Sequence, residues 1–187
     1  MPNWCDIEVV VSGNSRDVDM FEKSVIEEAS GKDQASILRT FCPMPEELFE
    51  TVSPRRLPHS EVEIANSDPV DAAVMQEKNE EYLRRETELI EKYGAGNWYD
   101  WANLNWGVKW SDSSSLVKRG PRSLKYVGSC PWAPPISGIA NISKMWPELR
   151  ITIKWFEGGM GFKGEMVLIN GEQVRLRESD YKGCRGG

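Results

Sequence analysis

The stretch LRITIKWFEGGMGFKGEMVLINGEQVRL, residues 149–176, predicts three successive antiparallel strands. Residues 149–157 alternate between apolar and polar side chains, as in a strand with one buried face. A glycine-rich turn at 157–161 leads into a second strand at 162–169. Asn170-Gly171 then favours a type I′ turn, which predicts a tight C-terminal hairpin. The fold is therefore expected to contain an antiparallel sheet.

Earlier segments supply further strands and two helices for this sheet. Residues 4–11 alternate like a half-buried strand, and a helical pattern of apolar residues begins after Ser15. Alternation predicts two more strands, at 105–111 and 124–130, which we expect to pair. Residues 136–146 predict a second helix that stops at Pro147.

Residues 43–104 are predicted to form a mostly helical insertion. Residues 50–67 contain few large apolar side chains and are expected to be an exposed loop. Asp68 is suited to cap a long helix, with Pro69 at its first position. This helix is expected to run to about Tyr93, before Gly94.

The order of these elements is β, α, insertion, β, β, α, β and a hairpin. It predicts an α+β fold, a ferredoxin-like split βαβ sandwich with an antiparallel sheet and helices on one face. The length of 187 residues suits one such domain, 1–187, that carries the inserted long acidic helix.

Composition excludes several classes of function. No apolar run approaches the roughly 20 residues of a membrane helix, and the opening residues do not resemble a signal peptide, so we expect a cytoplasmic protein. The four cysteines are widely spaced and His59 is the single histidine, so we predict free thiols and neither a metal site nor a cofactor.

The net charge of −6 is unevenly distributed along the chain. Residues 1–105 contain 22 acidic and 10 basic side chains, whereas residues 106–187 contain 7 acidic and 13 basic ones. The first part would repel a phosphate backbone and the second could attract one. The alternative is that the acidic helix simply faces water.

Five segments together resemble a known family: MPNWC at 1–5, FCPMPEEL at 41–48, YGAGNWYDWANLNWGVKW at 93–110, CPWAPPISGIANISKMWPEL at 130–149 and WFEGGMGFKGE at 155–165. In order and spacing they resemble the YubB-like, or Api92-like, ferredoxin-like proteins of phages and conjugative plasmids. That family has no established function, so the resemblance implies a fold and a mobile-element origin but no catalytic residues. The origin favours counter-defence roles. The strongly acidic 60–91 region departs from the family pattern.

The aromatic run at 97–110 has two interpretations. It could be a stacking platform for bases, or a buried joint between the long helix and the sheet. Lys109 is its one cation, which favours the joint. Exposed ring edges could still anchor a protein partner, and the candidates are Trp98, Tyr99 and Trp101.

Catalytic patterns are weak in this sequence. The glycines at 158–161 lie between two strands and predict a hairpin turn rather than a phosphate cradle. His59 lies in a proline-rich loop and is expected to be an exposed loop residue rather than a general base. Four carboxylates could do acid/base work or hold Mg²⁺, but roles in caps and turns explain them more simply. They are Asp100, Asp112, Glu157 and Glu165.

Our first hypothesis is a non-enzymatic phage or plasmid protein that inhibits a host defence protein or ribonucleoprotein effector, such as a CRISPR–Cas complex, by stoichiometric binding. Its acidic helix would occupy a basic nucleic-acid channel through Glu77, Glu80, Glu81, Glu88 and Glu91.

The second hypothesis is a single-stranded nucleic-acid binder. A basic loop at 112–123 and the start of the next strand would supply Lys118, Arg119, Arg122 and Lys125. The acidic net charge and the lack of an RNA-recognition aromatic motif weigh against it. A third hypothesis, a small enzyme acting on a nucleotide signal, rests on fold alone. The sequence leaves the oligomeric state open.

Overall fold

The protein consists of a six-stranded antiparallel sheet with helices. A computed structural model describes residues 3–29 and 35–183. In chain order the elements are β1 (Trp4–Ser12), α1 (Ser15–Ala29), α2 (Ile37–Phe41), α3 (Glu46–Phe49), α4 (Glu61–Ala65), α5 (Pro69–Tyr93), α6 (Trp98–Asn105), β2 (Ser113–Gly120), β3 (Ser123–Pro131), α7 (Ile136–Met145), β4 (Arg150–Glu157), β5 (Phe162–Ile169) and β6 (Glu172–Asp180).

The strand order β2-β3-β1-β4-β5-β6 confirms the predicted ferredoxin-like arrangement. Strand β1 lies between β3 and β4 and is antiparallel to both, as a split βαβ unit requires. The predicted hairpin adds β5 and β6 beyond β4. Its turn has positive φ at both Asn170 and Gly171, which is the geometry of a type I′ turn.

The core lies on one face of the sheet. Alternate residues of β1 are fully or almost fully buried, from Cys5 to Val11. Tyr126 of β3 contacts Phe21 of α1, with the ring centroids 6.3 Å apart, and Phe21 also packs on Phe41 and Trp146. We call the opposite face of the sheet the open face, because most of its side chains are half-buried or exposed and polar residues predominate on it, although Phe156 and Val167 are buried there.

The chain divides into two compact units. Unit 1 comprises Met1–Pro43 and Ala102–Gly187 and contains the sheet, whereas unit 2 comprises Met44–Trp101. The insertion predicted from the sequence spans 43–104. Unit 2 contains helices α3 to α5 and the first residues of α6.

Three predicted segments are wrong. The loop expected at 50–67 contains helix α4, whose first turn is fixed by a capping box between Ser60 and Glu63. The strand expected at 105–111 is the end of α6 followed by an irregular segment, because Gly107 has φ +79° and its backbone N–H bonds to Ala102 O at the end of the helix. The loop expected at 112–123 is strand β2 and a turn, because its serines pair with β3 as the edge of the sheet.

Candidate functional site

Helix α5 has the caps and the length that the sequence predicts. The carboxylate of Asp68 accepts hydrogen bonds from the backbone N–H groups of Val70 and Asp71, at 2.9 and 3.2 Å. These bonds lower the pKa of Asp68. Gly94, with φ +76°, ends the helix and donates to Ile90 O. Both ends of the helix are therefore fixed locally.

One stripe of α5 packs within unit 2. Asn79 exchanges two hydrogen bonds with the backbone of His59, at 2.9 and 3.0 Å. Glu86 forms an ion pair with Arg55 at 3.0 Å. The buried and half-buried positions of the stripe recur every three or four residues, and they include Met75, Asn79, Tyr82, Glu86 and Leu89.

The five glutamates predicted as a partner site lie on the opposite side of the same helix. At 3.6 residues per turn they fall within an arc of about 100°. We call this stripe the acidic face, and its members are Glu77, Glu80, Glu81, Glu88 and Glu91, all of them exposed. Arg84 projects within the same arc and reduces the charge locally. The structure therefore brings the five predicted residues together.

A charged groove of about 530 Å³ borders the acidic face. Lys92 spans it and bonds to the carboxylate of Glu47 on α3 at 2.8 Å. This bond raises the pKa of Lys92 and lowers the pKa of Glu47. Because the pair is exposed, it contributes little to stability.

The three proposed aromatic anchors differ in accessibility. Tyr99 is exposed, Trp98 is half-buried, and their rings meet edge to face at 5.7 Å. Trp101 is only 5 % exposed, so it is a packing residue rather than an anchor. Trp106 is also buried, and its indole N–H bonds to Cys42 O at 2.8 Å.

The structure separates the four basic residues of the second hypothesis. Arg119 points to the helical side of the sheet, where it pairs with Asp19 and with Glu22, the latter at 2.9 Å. Arg122 donates to Gly13 O at 2.9 Å. Lys118 and Lys125 are directly opposite each other on β2 and β3, and both lie on the open face. This separation contradicts the predicted four-residue basic loop as a single contact surface.

The sequence reasoning missed a broader set of charges on the open face. Strand register places Lys154 beside Glu8 and Glu165, with Arg177 next in the same row. Seven cations share this face: Lys118, Lys125, Arg150, Lys154, Lys163, Arg175 and Arg177. Four acids accompany them: Asp6, Glu8, Glu165 and Glu172.

Trp4 is an exposed aromatic side chain on that same face. It shares the face of Asp6 and Glu8 because alternate residues of a strand point the same way. The alternation of residues 4–11 already gave this signal, since Trp4 falls at an outward position of the predicted strand.

The candidate catalytic carboxylates are engaged in local structure. Glu157 is 1 % exposed and accepts hydrogen bonds from the backbone N–H groups of Gly159 and Met160. Asp112 is buried and caps α2, while Asp100 accepts from Asn97 at 2.7 Å. Glu165 pairs with Lys154 and Arg175. Within residues 3–29 and 35–183, no group of three or more His, Cys, Asp or Glu is arranged to hold a metal.

Two comparisons identify the relatives of this fold. Residues 105–183 match a family model described as the ferredoxin-like domain in Api92-like protein. The crystal structure of the protein api92 from Yersinia pseudotuberculosis is similar at 11 % identity over 100 % of both chains, with a TM-score of 0.53. At that identity the likeness shows the fold alone. No curated protein matches the chain.

These matches confirm the predicted Api92-like resemblance and the ferredoxin-like fold. Neither match indicates an enzymatic family. Across the part of the chain that the structure describes, no helix has both the length and the apolar character needed to cross a membrane.

Proposed function

We propose, taking the Api92-like ferredoxin-like domain at residues 105–183 as the premise, that this protein is a non-enzymatic inhibitor encoded by a phage or plasmid. It acts in the cytoplasm of the bacterial host by stoichiometric binding to a defence protein or ribonucleoprotein effector, for example a CRISPR–Cas complex. The acidic face of α5 is the contact surface. The exposure of all five glutamates on one side of one helix is the observation that carries this proposal.

The spacing of the acidic face suits a row of basic side chains that normally holds phosphates. Glu77 and Glu91 are separated by about 21 Å along the helix axis, at a rise of about 1.5 Å per residue. Carboxylates along that length present a line of negative charge, as a nucleic-acid strand does. A basic channel would gain charge complementarity from this helix, and the encounter would be accelerated electrostatically.

The charge of unit 2 supports the same surface. Its residues 44–101 contain 14 acidic and 6 basic side chains, a net charge of −8, against −6 for the whole chain. The acidity therefore belongs to the unit that contains α5 and not to the sheet. The engagement of the candidate carboxylates in caps, turns and ion pairs favours a binding role over a catalytic one.

Affinity purification of the tagged protein from its bacterial host tests the proposal. We expect one host protein or ribonucleoprotein to co-elute in stoichiometric amount at low salt and to be lost as salt rises, because exposed charges are screened. Changing the five glutamates of the acidic face to lysine should reduce capture by about tenfold or more.

A matched variant distinguishes this face from general acidity. It changes five other exposed acids of unit 2 to lysine, so that the change in net charge is the same: Glu46, Glu50, Glu61, Asp71 and Asp100. The partner should still bind to this control variant. Equal capture by the wild-type and charge-reversed proteins would eliminate the acidic face as the interface.

A further inference from the structure

The open face of the sheet is positively charged although the chain as a whole is acidic. Its seven cations outnumber its four acids, which gives this face a net charge of about +3. Two of the acids are bound by cations of the same face, Glu8 by Lys125 at 2.7 Å and Glu165 by Lys154 at 3.5 Å. Their negative charge is therefore neutralised locally.

Three of the cations project into solvent beyond these pairs. Lys118, Arg150 and Arg177 are exposed, and the structure of residues 3–29 and 35–183 gives none of them an ion pair with another described residue. They lie on β2, β4 and β6, so the positive charge extends across the sheet. At about 4.8 Å between neighbouring strands, that sheet is about 24 Å wide, enough for several nucleotides.

A shallow depression on the open face collects cations around an aromatic floor. It has a volume of about 360 Å³ and is lined by three cations, Lys154, Lys163 and Arg177, by the carboxylates of Glu165 and Glu178, and by Ser179. Phe156 forms the floor, and its ring contacts Tyr181 at 6.1 Å between centroids. Glu165 is paired with Lys154 and Arg175, and the three cations outnumber the two carboxylates, so the depression suits the oxygens of a phosphate.

Trp4 supplies an exposed ring on the same face as these cations. Its side chain is 53 % exposed, so the face of the ring is accessible to a stacked base. Asp6, the next outward residue of β1, is directly opposite Phe156, and Phe156 is directly opposite Lys163. The ring therefore projects at the end of the sheet that contains the depression.

We propose that the open face binds single-stranded nucleic acid, with a base stacked on Trp4 and the phosphates held by Lys118, Lys154, Lys163 and Arg177. Aromatic stacking combined with a basic track is the mode by which single strands bind without sequence readout. This inference goes beyond the acidic-face inhibitor, because it uses a different unit and a ligand of opposite charge. The net charge of −6 does not prevent it, since charges more than about 8 Å apart are screened at physiological ionic strength.

Fluorescence anisotropy with the full chain tests the proposal, using labelled oligonucleotides of about 20 nucleotides, one of deoxythymidine and one of uridine, at about 50 mM salt. We expect at least one of them to bind, and the comparison shows whether DNA or RNA is preferred. Trp4→Ala should weaken binding at least about fivefold, because one stacked base is lost. Trp110→Ala removes another exposed tryptophan, outside the sheet, and should change binding by less than about twofold.

Paired charge variants test the phosphate contacts. Lys118→Gln/Arg177→Gln should make the negative slope of log K against log salt less steep by about 1.4, because each lost contact with a single strand contributes about −0.7. Arg16→Gln/Lys23→Gln removes two exposed charges from α1 and should leave that slope unchanged. The acidic-face variants should still bind the oligonucleotide, so this result is separable from the proposed function.

Three outcomes would overturn the inference. The first is that neither oligonucleotide binds at low salt. The second is that both double variants lose affinity equally, which would indicate diffuse attraction rather than a site. The third is that the open face is instead covered by a second copy of the chain, detected as a salt-sensitive dimer in sedimentation that Lys118→Gln/Arg177→Gln abolishes.

Discussion

Asp112 is a buried carboxylate whose bonds join two elements of the sheet unit. One oxygen accepts from Ser36 Oγ at 2.8 Å and from the backbone N–H of Leu38 at 2.9 Å. The other accepts from the backbone N–H of Ile37 at 3.1 Å and from Ser114 Oγ. A single side chain thus caps α2 and fixes the start of β2. The sequence indicated that Asp112 could cap a helix, but it could not identify which helix, because α2 lies more than 70 residues earlier in the chain.

Asp112→Ala should lower the free energy of unfolding by about 3 kcal/mol or more, because several buried donors lose their acceptor at once. Asp180→Ala, at an exposed position on β6, should change it by no more than about 0.5 kcal/mol. Urea unfolding of both variants measures the difference. Similar small losses would show that the buried donors find other acceptors.

Cys5 and Cys130 are directly opposite each other on β1 and β3, and both are fully buried. Burial raises the pKa of Cys5 to about 12 and raises the pKa of Cys130 well above its ordinary value of 9.0. A thiol whose pKa is higher in the folded protein than in the unfolded chain contributes its full stability only at pH values below its pKa in the unfolded chain. That stability is lost as pH rises from about 9 towards the folded pKa, because only the unfolded chain ionises.

We therefore expect the free energy of unfolding to fall between about pH 9 and pH 10, by up to about 1.4 kcal/mol per pH unit for each thiol. Cys5→Ala/Cys130→Ala should flatten this fall, even though the variant is less stable at every pH. Urea unfolding under reducing conditions at several pH values from about 8 to 10 measures the slope. An unchanged slope in the variant would assign the pH dependence to other groups.

At the scale of elements, β4 and β5 make a close contact that requires glycine. A Cβ atom on Gly164 would lie 2.2 Å from the ring of Trp155, the residue directly opposite on β4. Trp155 is buried and cannot move aside without disturbing the core. The pairing of β4 with β5 therefore depends on a small residue at position 164.

Gly164→Ala should cost about 1–3 kcal/mol of stability through overpacking. Gly158→Ala is the matched control, because the nearest atom to its added Cβ would be 3.8 Å away, which is an ordinary contact. Thermal unfolding of the two variants checks the expectation. Equal stability of the two proteins would mean that the indole ring of Trp155 can shift at little cost.

The elements that could be predicted from the sequence have signals confined to a few residues. Asp68, Pro69 and Gly94 define α5, and Asn170-Gly171 defines the hairpin. The capping box of α4, formed by Ser60 and Glu63, was a signal of the same kind that the loop interpretation missed.

The failed strand prediction at 105–111 has a physical cause. Trp106 and Val108 are buried in alternation although they are not in a strand, while Trp110 is 43 % exposed. The true edge strand, β2, pairs on one side with β3, and its polar serines hide its periodicity. The alternation of apolar and polar residues alone could not show that β2 is a strand and that residues 105–111 are not.

At the scale of the whole molecule, charge is divided between the two units. Residues 44–101 have a net charge of −8, and the remaining residues have 17 basic and 15 acidic side chains, a net charge of +2. The acidic face could be predicted because all five glutamates lie on one helix, whose period of 3.6 residues places them on the same side. The open face could not, since only the register of six strands brings Trp4 onto the same surface as Lys163 and Arg177.

The acidic face of α5 is the proposed contact with a host partner. The most direct measurement compares capture of that partner, at one salt concentration, by two proteins that have lost the same number of negative charges. One has glutamine at the five positions of the acidic face, and the other has glutamine in place of Glu46, Glu50, Glu61, Asp71 and Asp100. We expect the first protein to lose the partner and the second to retain it. Equal capture, or equal loss, would contradict the proposal.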